Sequence, residues 1–272
     1  MKYISTLICT AVCGFFFALT ANSFAQTSQQ GVATVVRIQG EASYSLGDGQ
    51  WHPLVAGKIL TAGAIISTAP DAIVDVVLGK DVAMPQAAPA PDRISLASDP
   101  EVRGFVDYTP SAEQNVVRLE GGTILAIDKL TVSDTGVDTV SDTELDLQKG
   151  KIFASVKKSS AASQYFIKIP NGIAGVRGTF LELGADGSCG VSKQSGHSVV
   201  LSVTINGQLV TLTIGPGSFF NPLTGQTTPL TDDLVRWLLE NSIAIDTLYH
   251  QVFSFCFDRT LCHVSPFGVC GF

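Results

Sequence analysis

The sequence predicts an all-β fold closed by one C-terminal helix and a cysteine-containing tail. Three observations carry that reading. Apolar residues alternate with polar ones in short runs that meet at glycine corners, the texture of short packed strands. One Asn-Gly pair, Asn206-Gly207, stands between two such runs and marks a hairpin. Beyond Thr231 the apolar period lengthens from that of a strand to that of a helix.

Residues 1–25 read as a secretory signal peptide: Lys2, an apolar run from about Ile4 to Leu19, and small residues at Ser23 and Ala25, with cleavage after Ala25. The run falls short of the roughly 18 to 20 residues that a span needs. Val12 precedes Cys13 where a lipoprotein acceptor site wants a small residue. The expectation is therefore a periplasmic or secreted protein with no stable membrane span after cleavage. Cys9 and Cys13 leave with the signal, so Cys189, Cys256, Cys262 and Cys270 remain. An even number in an oxidising compartment makes these four the disulfide candidates, and pairing Cys189 with one tail cysteine would make the count even.

The β-domain is placed at 26–221. It opens with "GVATVVRIQGEASYSL", turns through "GDGQWHP", and continues in strands separated by glycine corners through "AGKILTAGAIISTAPDAIVDVVLG". From about 81 to 114 five prolines and several alanines interrupt strand pairing, which reads as an inserted loop. Strand texture returns at "NVVRLEGGTILAIDKLTV", breaks over the polar "SDTGVDTVSDT", and resumes at "ELDLQKGKIFASVKK", where Leu145, Leu147, Ile152 and Ala154 alternate with polar neighbours.

Asn206-Gly207 suits a two-residue type I′ turn, because both central positions need positive φ. That turn sets a register: Ile205 opposite Gln208, Val203 opposite Val210, Leu201 opposite Leu212, Val199 opposite Ile214. One face is then apolar, while the other pairs Thr204 with Leu209, Ser202 with Thr211 and Val200 with Thr213. A slip of one residue would destroy the segregation. Residues 222–272 form the helix and tail. Leu234, Leu238, Ile245, Leu248 and Val252 share a helical face read as packing on the β-domain, Thr231 is the N-cap, and Asp232 and Asp233 suit the positive end of the dipole. A break is expected near Asn241 and Ser242.

The net charge of −7, with no basic run, leaves nothing to neutralise phosphates, so nucleic acid is not an expected partner. In "CFDRTLCHVSPFGVC" the ligand types Cys256, Cys262, His263 and Cys270 have no compact zinc spacing. The acidic "SDTGVDTVSDTELD" lacks EF-hand spacing and reads as a solvated loop. "GIAGVRG" leads into a strand, not a helix N-terminus, so it offers no phosphate cradle. No metal and no cofactor are expected. Ser195 and His197 in "KQSGHSVV" are the residues of a hydrolase alternative, although neighbours in one loop seldom reach catalytic geometry and no G-x-S-x-G elbow exists.

The most unusual stretch is "NGIAGVRGTFLEL". Gly175 and Gly178 flank Arg177, which reads as a corner in which the guanidinium serves carbonyls left bare by the turn. Gly175, Val176, Arg177, Gly178 and Thr179 are thus candidate site residues as a structural corner, with recognition of a partner's carboxylate or carbonyl by Arg177 as the functional alternative.

The Val176-Arg177-Gly178-Thr179 core after Pro170 and Ala174 resembles the most diagnostic part of FecR-type domains. "LDLQKGKIFASVKK", around Gly150, is similar to their middle strand pair, and "AGKILTAGAIIST" to their opening. The likeness runs from about Gly31 to Asn221, broken by the insertion. It implies a β-solenoid or sandwich-like fold, and short strands at glycine corners agree. The family's regulator of iron uptake has an anti-sigma segment and a membrane helix where this chain has a signal peptide, so the domain carries over and the circuit does not. The reading is an exported, non-enzymatic module for protein interaction or signal sensing in the cell envelope, with an envelope protein or peptide as partner. A glycan or peptidoglycan binding module, stacking on Trp51, is the alternative, and a hydrolase on a β scaffold the third.

Overall fold

A computed structural model of the chain describes residues 28–80, 114–136, 138–157 and 160–246, with the isolated positions 82, 84, 93, 94, 102, 103 and 248. Two sheets account for most of it. From edge to edge, sheet A holds β19 (Gln208–Ile214), β18 (Val199–Ile205), β15 (Gly172–Gly175), β14 (Gln164–Ile169), β12 (Thr139–Lys149), β11 (Ile124–Asp134), β6 (Ile65–Thr68), β3 (Ala42–Ser45) and β4 (His52–Pro53), with β1 (Ser28–Gln30) added along β11. Sheet B holds β21 (Gln226–Pro229), β20 (Ser218–Asn221), β17 (Cys189–Val191), β16 (Thr179–Gly184), β13 (Lys151–Val156), β10 (Asn115–Leu119), β7 (Ile73–Gly79), β2 (Val32–Gln39) and β5 (Ile59–Leu60). Two short strands, β8 (Arg93–Ile94) and β9 (Val102–Arg103), pair with each other inside the proline-rich stretch.

The sheets pack face to face. One buried cluster draws Leu125, Ile127, Leu145 and Ile167 from sheet A and Val76, Val117, Ile152 and Leu181 from sheet B, because alternate residues of each strand point inward. Neither sheet closes into a barrel. Of the two forms that the sequence left open, the strand order is that of a sandwich: neighbours pair antiparallel throughout, apart from β12 with β14, whereas stacked solenoid turns would pair in parallel. β7 and β10 are antiparallel neighbours, Val76 opposite Val117, so sheet B continues across the proline-rich stretch between them.

The Asn206-Gly207 hairpin has the register that the turn dictates, from Val199 opposite Ile214 to Ile205 opposite Gln208. Both turn residues have positive φ, 51° and 79°. The expected break over 133–143 is much shorter than the sequence suggests. β11 runs to Asp134 and β12 starts at Thr139, because Asp134, Thr135 and Asp138 close the turn with their own side chains: Gly136 N–H donates to Asp134 Oδ1 at 2.8 Å and Asp138 N–H to Thr135 Oγ1 at 3.0 Å.

The helix α1 (Asp232–Asp246) lies on the outer face of sheet B. Thr231 caps it, its hydroxyl accepting from Leu234 N–H at 3.3 Å and its carbonyl from Val235 N–H at 2.9 Å. The break expected at Asn241 and Ser242 does not occur. Asn241 Nδ2 donates back to Trp237 O at 2.8 Å and Ser242 Oγ to Leu239 O at 2.8 Å, so both polar side chains bond within the helix and leave its ladder intact. Leu238 and Ile245 are buried and Leu234 and Leu248 half-buried against the sheet, as their spacing predicts. Val252 lies outside the described residues.

Candidate functional site

The corner predicted from Gly175 to Thr179 carries the chain from one sheet to the other. β15 ends in sheet A at Gly175 and β16 begins in sheet B at Thr179. Val176 turns into the core, and its N–H donates to Tyr165 O at 2.9 Å. The left-handed position is Gly178, with φ +59°, where an L side chain would be strained. Gly175 is a strand residue opposite Phe166, and a Cβ there would meet the Phe166 ring at an ordinary 3.4 Å. Thr179 is buried and its hydroxyl donates to Arg177 O at 2.8 Å, which closes the turn over the half-buried Arg177.

Ser195 belongs to the same corner. Its hydroxyl donates to Phe180 O at 3.0 Å and accepts from Phe180 N–H at 3.0 Å, standing in for a missing strand neighbour at the start of β16. His197 contributes its carbonyl, 3.5 Å from Thr179 Oγ1, while its Nδ1 is buried and makes no hydrogen bond among the described residues. The Ser195 hydroxyl is therefore engaged with the Phe180 backbone, and His197 Nδ1 does not accept its proton.

Cys189 sits between the sheets, with its side chain fully buried, and is a free cysteine. Burial, and secondarily the charge of Glu182, push its thiol well above the ordinary range. Cys256, Cys262, Cys270 and His263 lie outside the described residues.

The polar cluster that sequence reasoning missed lies on the outer face of sheet B. Register places Arg37, Asp75, Arg118, Phe153, Glu182 and Gly190 side by side on β2, β7, β10, β13, β16 and β17. Asp75 is fully buried and accepts from Arg118 Nε at 2.7 Å, Arg118 Nη2 at 3.1 Å and Arg37 Nε at 2.6 Å. A bulge at Val36 makes this possible: Val35 pairs with Val76 and Arg37 with Asp75, so Val36 and Arg37 both serve the outer face.

The helix roofs this row and follows it. Leu234 lies over Gly190, where an added Cβ would stand 3.5 Å from its Cδ2. Trp237 meets Phe153 edge to face at 6.0 Å. Asn241 Oδ1 accepts from Arg118 Nη1 at 2.7 Å, and Ala244 O from Arg37 Nη2 at 3.5 Å. The last turn of α1 has no basic residue, and Arg37 supplies from the sheet the positive charge that its carbonyl end favours. Lys151 bridges to Glu182 and stands 6.0 Å from the Trp237 ring, while the second Glu182 carboxylate oxygen is buried without a hydrogen bond among the described residues. Glu120 beside them has its carboxyl raised by burial, against the lowering pull of Arg118.

Trp51 stands at the end of the sandwich where β4 and β5 are the edges, and it is 51% exposed. Leu46, Val55 and Ile59 are exposed at the same end, to 55%, 60% and 57%. Below them Tyr44 packs on His52 at 5.5 Å, and the Lys58 ammonium lies 4.6 Å from the Tyr44 ring centre.

These features define a β-sandwich whose buried polar row holds its own helix and whose β4–β5 end exposes large apolar side chains. A family model described as FecR protein matches residues 107–203, from within the proline-rich stretch through most of β18, and supports a FecR domain over that stretch. β2 to β7 lie outside the matched stretch, yet they complete the same two sheets. No curated protein matches the chain.

Proposed function

We propose that this chain is an exported, non-enzymatic FecR-type domain that works as a protein-interaction or signal-sensing module of the cell envelope. The FecR match over β10 to β18 carries the reading. The commitment of the Ser195 hydroxyl to the Phe180 backbone supports it, since the best hydrolase candidate is spent on holding the corner. The signal-like N-terminus supports export, and among the described residues no helix is long and apolar enough to cross a membrane.

The end bearing Leu46, Trp51, Val55 and Ile59 is the surface offered to an envelope protein, because among the described residues these large apolar side chains stay more than half exposed there. A photoreactive residue at Val55, activated in cells that export the protein, is expected to yield one discrete adduct with an envelope protein, lost on Ile59→Asp. Cross-links scattered over many proteins, unchanged by Ile59→Asp, would count against the reading.

Trp51 favours a second reading, glycan or peptidoglycan binding, because an indole 51% exposed suits stacking on a sugar face. Retention of the protein on insoluble cell wall, abolished by Trp51→Ala, would put that reading first.

A further inference from the structure

Four strands end the main runs of the two sheets, β4 and β19 in sheet A, β5 and β21 in sheet B, and the three-residue β1 lies as a short spur along β11. An edge strand presents unpaired N–H and C=O groups and templates pairing unless something blunts it. Three of these edges are blunted. β4 has two residues, one of them Pro53; β5 has two; β21 has four and ends in Pro229. β19 has seven residues, without a charge, a proline or a register shift against β18.

The hairpin decides which groups that edge presents. A two-residue turn makes Ile205 and Gln208 a hydrogen-bonded pair, so by alternation Leu209, Thr211 and Thr213 direct their N–H and C=O groups to the open side. Among the described residues no strand takes them up. The core is also unfinished here. Val210 faces inward opposite the fully buried Val203 but is itself 39% exposed.

We propose that β19 is a self-association edge, at which two copies of this chain pair antiparallel about a two-fold axis and join their A sheets into one. With Thr211 on the axis, Leu209 stands opposite Thr213 of the second copy and Val210 opposite Leu212. All three outward-directed residues then meet their like, giving about six backbone hydrogen bonds, and the apolar inner face of each strand covers that of the other.

Charge permits a second copy as the occupant, and the self-complementary register selects it. The ion pairs on the outer face of sheet A involve Asp128, Lys129, Asp142, Glu144 and Lys168, all on β11, β12 and β14. β15, β18 and β19 carry no charged residue. Two chains of net charge −7 can therefore approach at this edge with their charges held back, while an identical neutral strand is the partner whose side chains match in this register. The inference is independent of the β4–β5 end and of any partner bound there.

Sedimentation equilibrium of the purified protein, expressed from the full-length sequence, between about 1 and 100 µM tests it. The expected result is a dimer that Thr211→Lys converts to a folded monomer with an unchanged far-UV circular dichroism spectrum, since two lysines would meet on the axis, while Thr211→Val stays dimeric; the thermal midpoint should depend on concentration in the parent and not in Thr211→Lys. Should Thr211→Lys fail to fold, Thr213→Glu makes the same test at a second exposed position. A photoreactive residue at Leu209 should give the self-linked dimer, and one at Thr227 of β21 should not. A monomer throughout this range, a dimer indifferent to both charged variants, or cross-links from Leu209 only to a different protein would each overturn the proposal.

Discussion

The two outer faces of the sandwich use the same residue types under opposite conditions. On sheet A, Lys168 reaches Glu144 at 2.9 Å and Asp128 at 3.1 Å, and Lys129 pairs with Asp142, all at partly exposed positions in contact with water. On sheet B, Asp75 and two arginines lie under α1, with Asp75 at 0% exposure and Arg118 at 5%. Exposed pairs lose to hydration and side-chain entropy nearly what they gain, so they mainly keep the face soluble. The buried cluster has lost its hydration, and each partner is held to its place by the cost of leaving the others alone. The same charges act as solvent-facing decoration on one sheet and as a locating pin for the helix on the other.

The sharpest way to break this contrast is Asp75→Ala, which leaves Arg118 buried without its counter-charge. A loss of about 3–5 kcal/mol is expected, read as a lower urea midpoint at unchanged slope. If the damage is the uncompensated charge and not lost packing, Asp75→Leu combined with Arg118→Met should recover most of it. Recovery of none would mean that packing dominates.

Leu238→Ala removes apolar contact from the roof without touching a charge. It should cost about 2–5 kcal/mol, with the spread set by how far the helix can settle onto the sheet. Asn241→Ala comes next. It takes the acceptor from Arg118 Nη1 and should cost about 1–3 kcal/mol, the desolvation penalty of one buried donor. Equal losses for the two would say that the polar pin matters as much as the apolar roof.

The smallest effect belongs to sheet A and depends on pH. Hydrogen bonds to Glu144 and then Asp128 push the Lys168 ammonium up to about 12. A folded pKa above the unfolded one means that its contribution is fully present below the ordinary lysine value of 10.5 and fades as pH rises through about 12. Lys168→Met should leave stability at neutral pH almost unchanged and flatten the alkaline limb of the stability curve. A large loss at pH 7 would overturn the view that this face is marginal.

Much of the fold was legible because its signals are local. Asn206-Gly207 fixed seven cross-strand pairs through one turn, and Thr231 with Leu234, Leu238 and Ile245 marked the cap and buried face of the helix. The Val176–Thr179 corner was legible as a corner, although only Gly178 carries the left-handed φ. The buried cluster left a weaker trace that nonetheless could have been read. Asp75 interrupts "IVDVVL" and Arg118 interrupts "NVVRL", single charges in runs otherwise apolar at consecutive positions, as strands covered on both faces are. The bulge at Val36 left none, because Val35 and Val36 are the same residue type on opposite faces.

By itself, then, the sequence determined the elements whose partners lie within a few residues: the turn, the cap, the alternation and the helical stripe, each set by backbone geometry over one or two turns of chain. Only the tertiary structure decided which face of sheet B the helix covers and which charges meet there. Arg37 and Asp75 are 38 residues apart, Asp75 and Arg118 43, and Arg118 and Asn241 123. Those distances close through strand order and register, which are properties of the whole sheet and of no segment within it.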